Sequence, residues 1–235
     1  MNDPSPFPLP LSRGFFITGT DTGVGKTHVA CLLIESLKKR GLRAAAMKPV
    51  AAGTAADGVN EDVRRLMAAS NVSAPKELVN PYCFAPAVAP HIAARQTGVT
   101  MDLDVIAAAY EELAALADVV VVEGAGGFLV PFNDACGMDA IPVRLGLPVI
   151  MVVGLRLGCL NHALLTAEAV EARGLSLAGW VANRVDPDME MAEENLTSLR
   201  SILRPPCLGE IRWQETFPVD LAEGSGLILK ALGLA

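Results

Sequence analysis

Five stretches of the chain are apolar at nearly every position: GFFIT (14–18), AAAMKPV (44–50), DVVVVEG (118–124), PVIMVVG (148–154) and LAGWVAN (177–183). A strand with one wet face alternates apolar and polar residues, whereas a strand covered on both faces does not. These runs therefore point to a parallel sheet sandwiched between helices. Segments with helical spacing separate them, over 29–40, 61–70, 103–117, 162–173 and 189–203. Strand and helix thus alternate, which is the pattern of a doubly wound α/β domain, a mostly parallel β-sheet flanked by helices on both faces. Gly41 and Gly174 follow KKR and EAR, as glycines do after helices with basic last turns.

No repeat, composition shift or Gly/Ser linker divides the chain, so one domain is expected over 13–235. The start, MNDPSPFPLPLS, carries four prolines that can feed neither a helix nor a central strand, and residues 1–12 are expected to form a mobile tail. It lacks the basic and long apolar regions of a signal peptide, and no later run reaches a membrane-spanning length. The ending GLILKALGLA (226–235) is short, has one lysine and reads as a docking helix rather than a membrane-lying one. Five scattered cysteines with no Cys-x-x-Cys pair read as reduced thiols, and a cytoplasmic location follows. A net charge of −7 without a basic stripe argues against nucleic acid as a partner, leaving small-molecule chemistry.

The first apolar run feeds TGTDTGVGKT (18–27), after which helical spacing begins. Glycines let backbone N–H groups close around a phosphate, a lysine neutralises β and γ oxygens, and a hydroxyl at the first helical turn ligates Mg²⁺ where the helix dipole adds to the field. Gly25-Lys26-Thr27 supplies those parts, and the loop reads as phosphate-binding although the strict pattern asks for glycine where Thr20 stands. A dinucleotide site is disfavoured, because no G-x-G-x-x-G follows this strand.

Lys48 ends an otherwise apolar run at the same sheet edge, where burial is costly unless it meets negative charge. Glu123, just past four valines, can hold magnesium from a strand tip, and the glycines after it allow a ligand close to the backbone. Asp62, near a helix start, is the other candidate metal ligand, although such an acid is usually a cap or dipole partner. Asp118 begins the same strand as Glu123 and so lies at its far end. Two lysines, a hydroxyl and two acids suit a Mg-nucleotide reacting with an acid near Lys48.

These residues, together with KPVAAG (48–53), NPYCFAPAVAPHIAA (80–94), VEGAGG (122–127), GCLNHALLT (158–166) and LAGWVAN, closely resemble the ATP-dependent dethiobiotin synthetases of biotin biosynthesis, phosphate-loop NTPases by fold. The resemblance runs from Arg13 to Trp213. It implies a ligase that joins 7,8-diaminononanoate and CO₂ with ATP and Mg²⁺, by way of a carbamate and its mixed anhydride with phosphate, into a cyclic urea. It implies that Gly23, Val24, Gly25, Lys26, Thr27 and His28 wrap the phosphates, and that Thr27, Asp62 and Glu123 hold magnesium. Lys48, Lys26 and Thr22 fall at the reacting centre, with Gly124, Ala125 and Gly126 lining it. Asn183, Arg184 and the segment GEIRW (209–213) fall near the nucleotide base. Gly158, Cys159, Leu160 and Asn161 reach across a homodimer interface to the substrate's far carboxylate, although Asn161 alone also reads as an N-cap.

Two positions depart from the family pattern. Ala52 stands where many members carry serine, removing a hydroxyl from the substrate, and Gly23 stands where some carry an acid. NRVD (183–186) has a chance likeness to the N-K-x-D signature of guanine readers, so ATP leads and GTP stays open. His91 reads as a packing histidine. The competing functions are a partitioning-type ATPase switch, which usually carries an extra lysine early in the loop, and an ATP-dependent amide ligase acting on a larger acid, which needs a further domain.

Overall fold

The computed structural model describes residues 14–213; the proline-rich tail and the C-terminal docking helix expected from sequence lie outside them. In chain order the elements are β1 (Gly14–Gly19), α1 (Lys26–Lys39), β2 (Ala44–Met47), β3 (Val50–Ala52), α2 (Glu61–Ala69), α3 (Lys76–Val79), β4 (Tyr82–Phe84) and α4 (Pro90–Gln96). Then follow α5 (Leu103–Leu116), β5 (Val119–Glu123), α6 (Ala140–Leu145), β6 (Val149–Leu155), α7 (Cys159–Ala172), β7 (Leu177–Arg184), α8 (Ala192–Ile202) and β8 (Cys207–Ile211).

Six strands form one parallel sheet in the order β2-β5-β1-β6-β7-β8. Alternate residues of each strand enter opposite apolar layers. Phe16, Met47, Val122 and Val153 join Ile106, Leu113, Val170 and Leu196 from α5, α7 and α8. Phe15, Ile17, Val121 and Val152 join Leu33 and Leu37 of α1 and Leu66 of α2. Both faces are thereby covered, which is why the runs show no alternation. Beyond β1 the chain moves first toward β2 and β5, then returns to β6 on the other side. The carboxyl end of β1 is therefore the switch point where such sheets bind ligands.

The run 44–50 is not one strand. Pro49 contributes no N–H and biases Lys48 toward extended backbone, and the chain leaves the main sheet there. β3 pairs instead with β4 in a separate two-stranded parallel sheet, Val50 opposite Tyr82. At the outer margin, β2 is covered by the segment after α2: Ser70 Oγ accepts from Ala46 N at 3.0 Å, and Asn71 Oδ1 from Ala44 N at 2.8 Å. Gly41 does close α1, at φ 79° with its N–H on Lys38 O. Among the described residues no helix is long and apolar enough to cross a membrane.

Candidate active site

The loop between β1 and α1 turns on two left-handed glycines, Gly23 at φ 74° and Gly25 at φ 89°, conformations that cost an ordinary L-residue about 1–2 kcal/mol. Val24 between them is buried and plugs the floor: a Cβ on Gly19 would come within 2.6 Å of its Cγ2, and one on Gly154 within 2.7 Å of its Cγ1. Its carbonyl accepts Asn183 Nδ2 at 2.8 Å, so the end of β7 is tied to the loop. Lys26 Nζ donates to Asp21 O at 2.9 Å, and the Asp21 carboxylate accepts Thr22 N at 2.7 Å and pairs with Arg156.

Beside this loop the tips of β2 and β5 place a buried ionic cluster. Met47 lies opposite Val122, so the next residues, Lys48 and Glu123, meet: Lys48 Nζ stands 2.5 Å from Glu123 Oε1 and 3.1 Å from Asp62 Oδ2. Thr27 Oγ1 donates to the same Glu123 oxygen at 2.9 Å. Burial alone would depress Lys48, but Glu123 and Asp62 outweigh it and hold the ammonium above its ordinary pKa. Asp62 is opposed by burial too, yet Lys48 keeps it below the usual carboxylate range. Lys26 has no such close acid. Burial first, then the neighbouring Lys48 charge, push it down to about 8.

A sign follows for nucleotide binding without metal. With its pKa pushed down to about 8, Lys26 in the empty protein is largely neutral above that pH, whereas a bound polyphosphate favours the charged form. Binding of ADP in EDTA near pH 8.5 is expected to take up protons, so that calorimetric enthalpies shift with the ionisation enthalpy of the buffer, and to weaken above that pH. Enthalpies independent of buffer would overturn this reading of Lys26.

The chemistry of the cluster fits magnesium. Glu123 is 1% exposed, and its second oxygen, Oε2, is buried without a hydrogen-bond partner, an arrangement that normally requires a cation or water. Thr27, Asp62 and Glu123 provide the hard oxygen donors that a sparsely protein-ligated Mg²⁺ uses alongside phosphate oxygens. Among the described residues no group of three or more His, Cys, Asp or Glu forms a separate metal site.

Loop and cluster open into one cavity of about 870 Å³. Lys26 and Lys48 both border it, with Thr22, Gly23, Gly25, Thr27 and His28 from the loop. Asp62, Glu123, Ala125, Gly126 and Ala52 line it as well, as do Asn183, Arg184, Ile211, Arg212 and Trp213. Val24 and Gly124 do not line it; a Cβ on Gly124 would meet Phe16 at 2.8 Å. Gly158, Cys159, Leu160 and Asn161 do not reach the cavity of their own chain. Nor is Asn161 an N-cap. Gly158 at φ 94° makes the turn, α7 starts at Cys159, and Asn161 is exposed in its first turn.

Asn60 and Arg65 were not legible as site residues. Asn60 caps α2, accepting Asp62 N at 3.0 Å, and donates to Gly53 O at 2.7 Å, which fixes the start of α2, and Asp62 with it, against the turn after β3. An Asx before helical spacing was the available signal. Arg65 borders the cavity three residues after Asp62, on the same helix face. Arg184, expected near the base, has its guanidinium engaged by Glu210 at 2.7 Å and by Glu193.

A sequence-family model described as an AAA domain matches residues 13–217. The chain is 52% identical over 205 residues to the ATP-dependent dethiobiotin synthetase BioD of Nitrosospira multiformis, covering 87% of this chain and 90% of that protein. The chain belongs to the dethiobiotin synthetase family. The same family's protein from Aromatoleum aromaticum is 52% identical over 202 residues, covering 85% and 90%. By fold the chain resembles a ParA family ATPase from Chlorobium tepidum, with a TM-score of 0.53 and 13% identity, covering 95% of this chain and 91% of that one. It also resembles the MinC:MinD cell division complex of Aquifex aeolicus, at TM-score 0.57 and 16% identity over 94% of both chains. This fold is shared well beyond the family, so the site must separate the functions.

Proposed function

We propose that the protein is a dethiobiotin synthetase, an ATP- and Mg²⁺-dependent ligase that closes 7,8-diaminononanoate and CO₂ into a cyclic urea. The observation that carries this reading is the second lysine, Lys48, buried beside Lys26 in the cavity that the phosphate loop enters. A switch that only binds and cleaves ATP has no need of a buried ammonium on the acceptor side of the phosphates. One amine of the substrate takes up CO₂ as a carbamate. The carbamate oxygen attacks the γ-phosphorus and ADP leaves; the second amine then attacks the carbamoyl carbon and expels phosphate, forming the second C–N bond of the ring. Lys26 neutralises the transferring phosphoryl oxygens, while Lys48 neutralises the carbamate and the charge that grows on it. Thr22 and Gly126 confine the reacting end. Thr27, Asp62 and Glu123 would hold magnesium, which neutralises phosphate charge when bound. Alignment and charge neutralisation suffice for phosphoryl transfer of this kind.

Asn183 faces the base end with its Nδ2 donating to Val24 O, which leaves Oδ1 to accept from the base; adenine is favoured over guanine by the place of Asp186. Asp186, the acid of the guanine-reading likeness, instead accepts Asp188 N at 3.1 Å and does not border the cavity. We assign Gly158, Cys159, Leu160 and Asn161 to the partner's site in a homodimer. Their absence from the lining of their own cavity, the exposure of Gly158 and Asn161, and the 93% exposure of Leu157 support this. A cytoplasmic location fits the free thiols of all five cysteines.

The direct test incubates purified protein with diaminononanoate, bicarbonate, Mg²⁺ and ATP or GTP in turn, and detects the cyclic urea by mass. Product with ATP, and ADP released in equal amount, is expected. ATP cleavage without the urea would overturn the assignment.

A further inference from the structure

The backbone under the Lys48 ammonium is held by a residue outside the cavity. Lys48 is the first residue beyond β2, where the chain leaves the main sheet and Pro49 offers no N–H to continue a ladder. Its own N–H donates to Val79 O at 2.7 Å. Its carbonyl accepts Asn80 Nδ2 at 2.6 Å, and the same nitrogen donates to Tyr82 O at 3.0 Å. Tyr82 N closes the ring of contacts on Pro49 O at 3.1 Å. One buried carboxamide, 4% exposed, thus joins the exit of β2 to the entry of β4.

That arrangement has a cost. Asn80 Oδ1 is buried without a hydrogen-bond partner, a loss that an apolar side chain of similar size would avoid. What the carboxamide provides in return is two N–H groups directed at two carbonyls, one belonging to the residue whose ammonium meets Glu123 and Asp62. The side chain of Lys48 starts from a backbone that no strand pairing holds. A clamp on its carbonyl sets the direction in which Nζ points.

We propose that Asn80 is a positioning residue for Lys48, its carboxamide fixing the backbone from which the Lys48 ammonium reaches the reacting centre. The inference rests on the reading of Lys48 given above. Asn80 touches neither nucleotide nor substrate, since it does not border the cavity. Its loss therefore acts on turnover and not on the phosphate cradle.

The test compares Asn80→Ala and Asn80→Ser, the latter keeping one hydroxyl donor, in the full-length protein and again in a Lys48→Ala background. A displaced reacting group costs about 10- to 100-fold in rate, so kcat of Asn80→Ala is expected to fall by that amount with ATP affinity held within about threefold. Asn80→Ser is expected to recover part of the loss, and it carries the same comparison alone should the alanine variant not fold. In the Lys48→Ala background either change is expected to alter the residual rate by less than about twofold, because the group being positioned is gone. Three results would overturn the proposal: wild-type kcat in the Asn80 variants, equal losses in both backgrounds, or ATP affinity falling in step with kcat. Failure of the wild-type protein to make the cyclic urea would remove the functional reading itself, whereas a competent wild type with indifferent Asn80 variants removes only this inference.

Discussion

Lys48→Ala is expected to lower cyclic-urea formation by about 100- to 1000-fold at saturating Mg-ATP, the scale on which removing one preorganised charge from a reacting centre acts. Nucleotide affinity is expected to stay within a few-fold, because the proposed phosphate cradle is Lys26 and the loop amides and does not include Lys48. A second effect accompanies the first. Glu123 is 1% exposed and loses its closest cation, and breaking a buried pair from one side destabilises by about 3–5 kcal/mol. The variant should melt well below the wild type when empty and recover part of the difference with Mg-nucleotide, which binds only the folded form. Turnover within tenfold of wild type would remove Lys48 from the reacting centre. The same variant tests the shared site. Mixed with Asn161→Asp, whose added carboxylate opposes the substrate's own, it is expected to regain roughly a quarter of wild-type activity, since random exchange gives half heterodimers with one intact site each. No gain over the two parents would refute sites built from both subunits.

Gly25→Ala is expected to weaken nucleotide binding by about 30- to 150-fold, with the fold retained. Gly25 sits at φ 89°, and a Cβ there would lie 2.2 Å from Asn183 Nδ2. Asn183 would have to abandon Val24 O, losing about 1 kcal/mol, while the backbone strain adds about 1–2 kcal/mol. The empty loop can relax out of that conformation, and a nucleotide must then force it back, so the cost is read in affinity. Gly23→Ala is the control. Gly23 has φ 74° but open space where the Cβ would stand, so only the strain applies, about a 5- to 30-fold loss. Equal losses in the two variants, measured by calorimetry with ADP, would show that Asn183 plays no part.

The long elements were legible because burial on both faces leaves its mark in composition. VVVV of β5 and IMVV of β6 admit little else, and the glycines after α1 and α7 mark real helix ends. Short pieces were not. β3, β4, α3 and α6 have three to six residues each, too few for any period to show, and β3, α3 and β4 form where Pro49 turns the chain out of the main sheet. The charged part of the site was readable for a related reason: a lysine in RAAAMKPV or an acid after four valines is anomalous unless each meets an opposite charge. Asn60 and Asn80 gave no comparable signal. Both act on backbone carbonyls supplied by other segments, and only the folded path brings those carbonyls within reach. The start of α7 was misplaced because a left-handed glycine, not an asparagine side chain, sets it.

The asparagine and serine that follow α2 have a bearing on the crowded conditions of synthesis. An outermost parallel strand ordinarily offers its free amides as a template on which another polypeptide can extend. Here two of those amides are occupied by the protein's own side chains. A stray strand meeting this margin finds fewer open donors, and association between copies is steered toward side-chain surfaces rather than growth of the sheet.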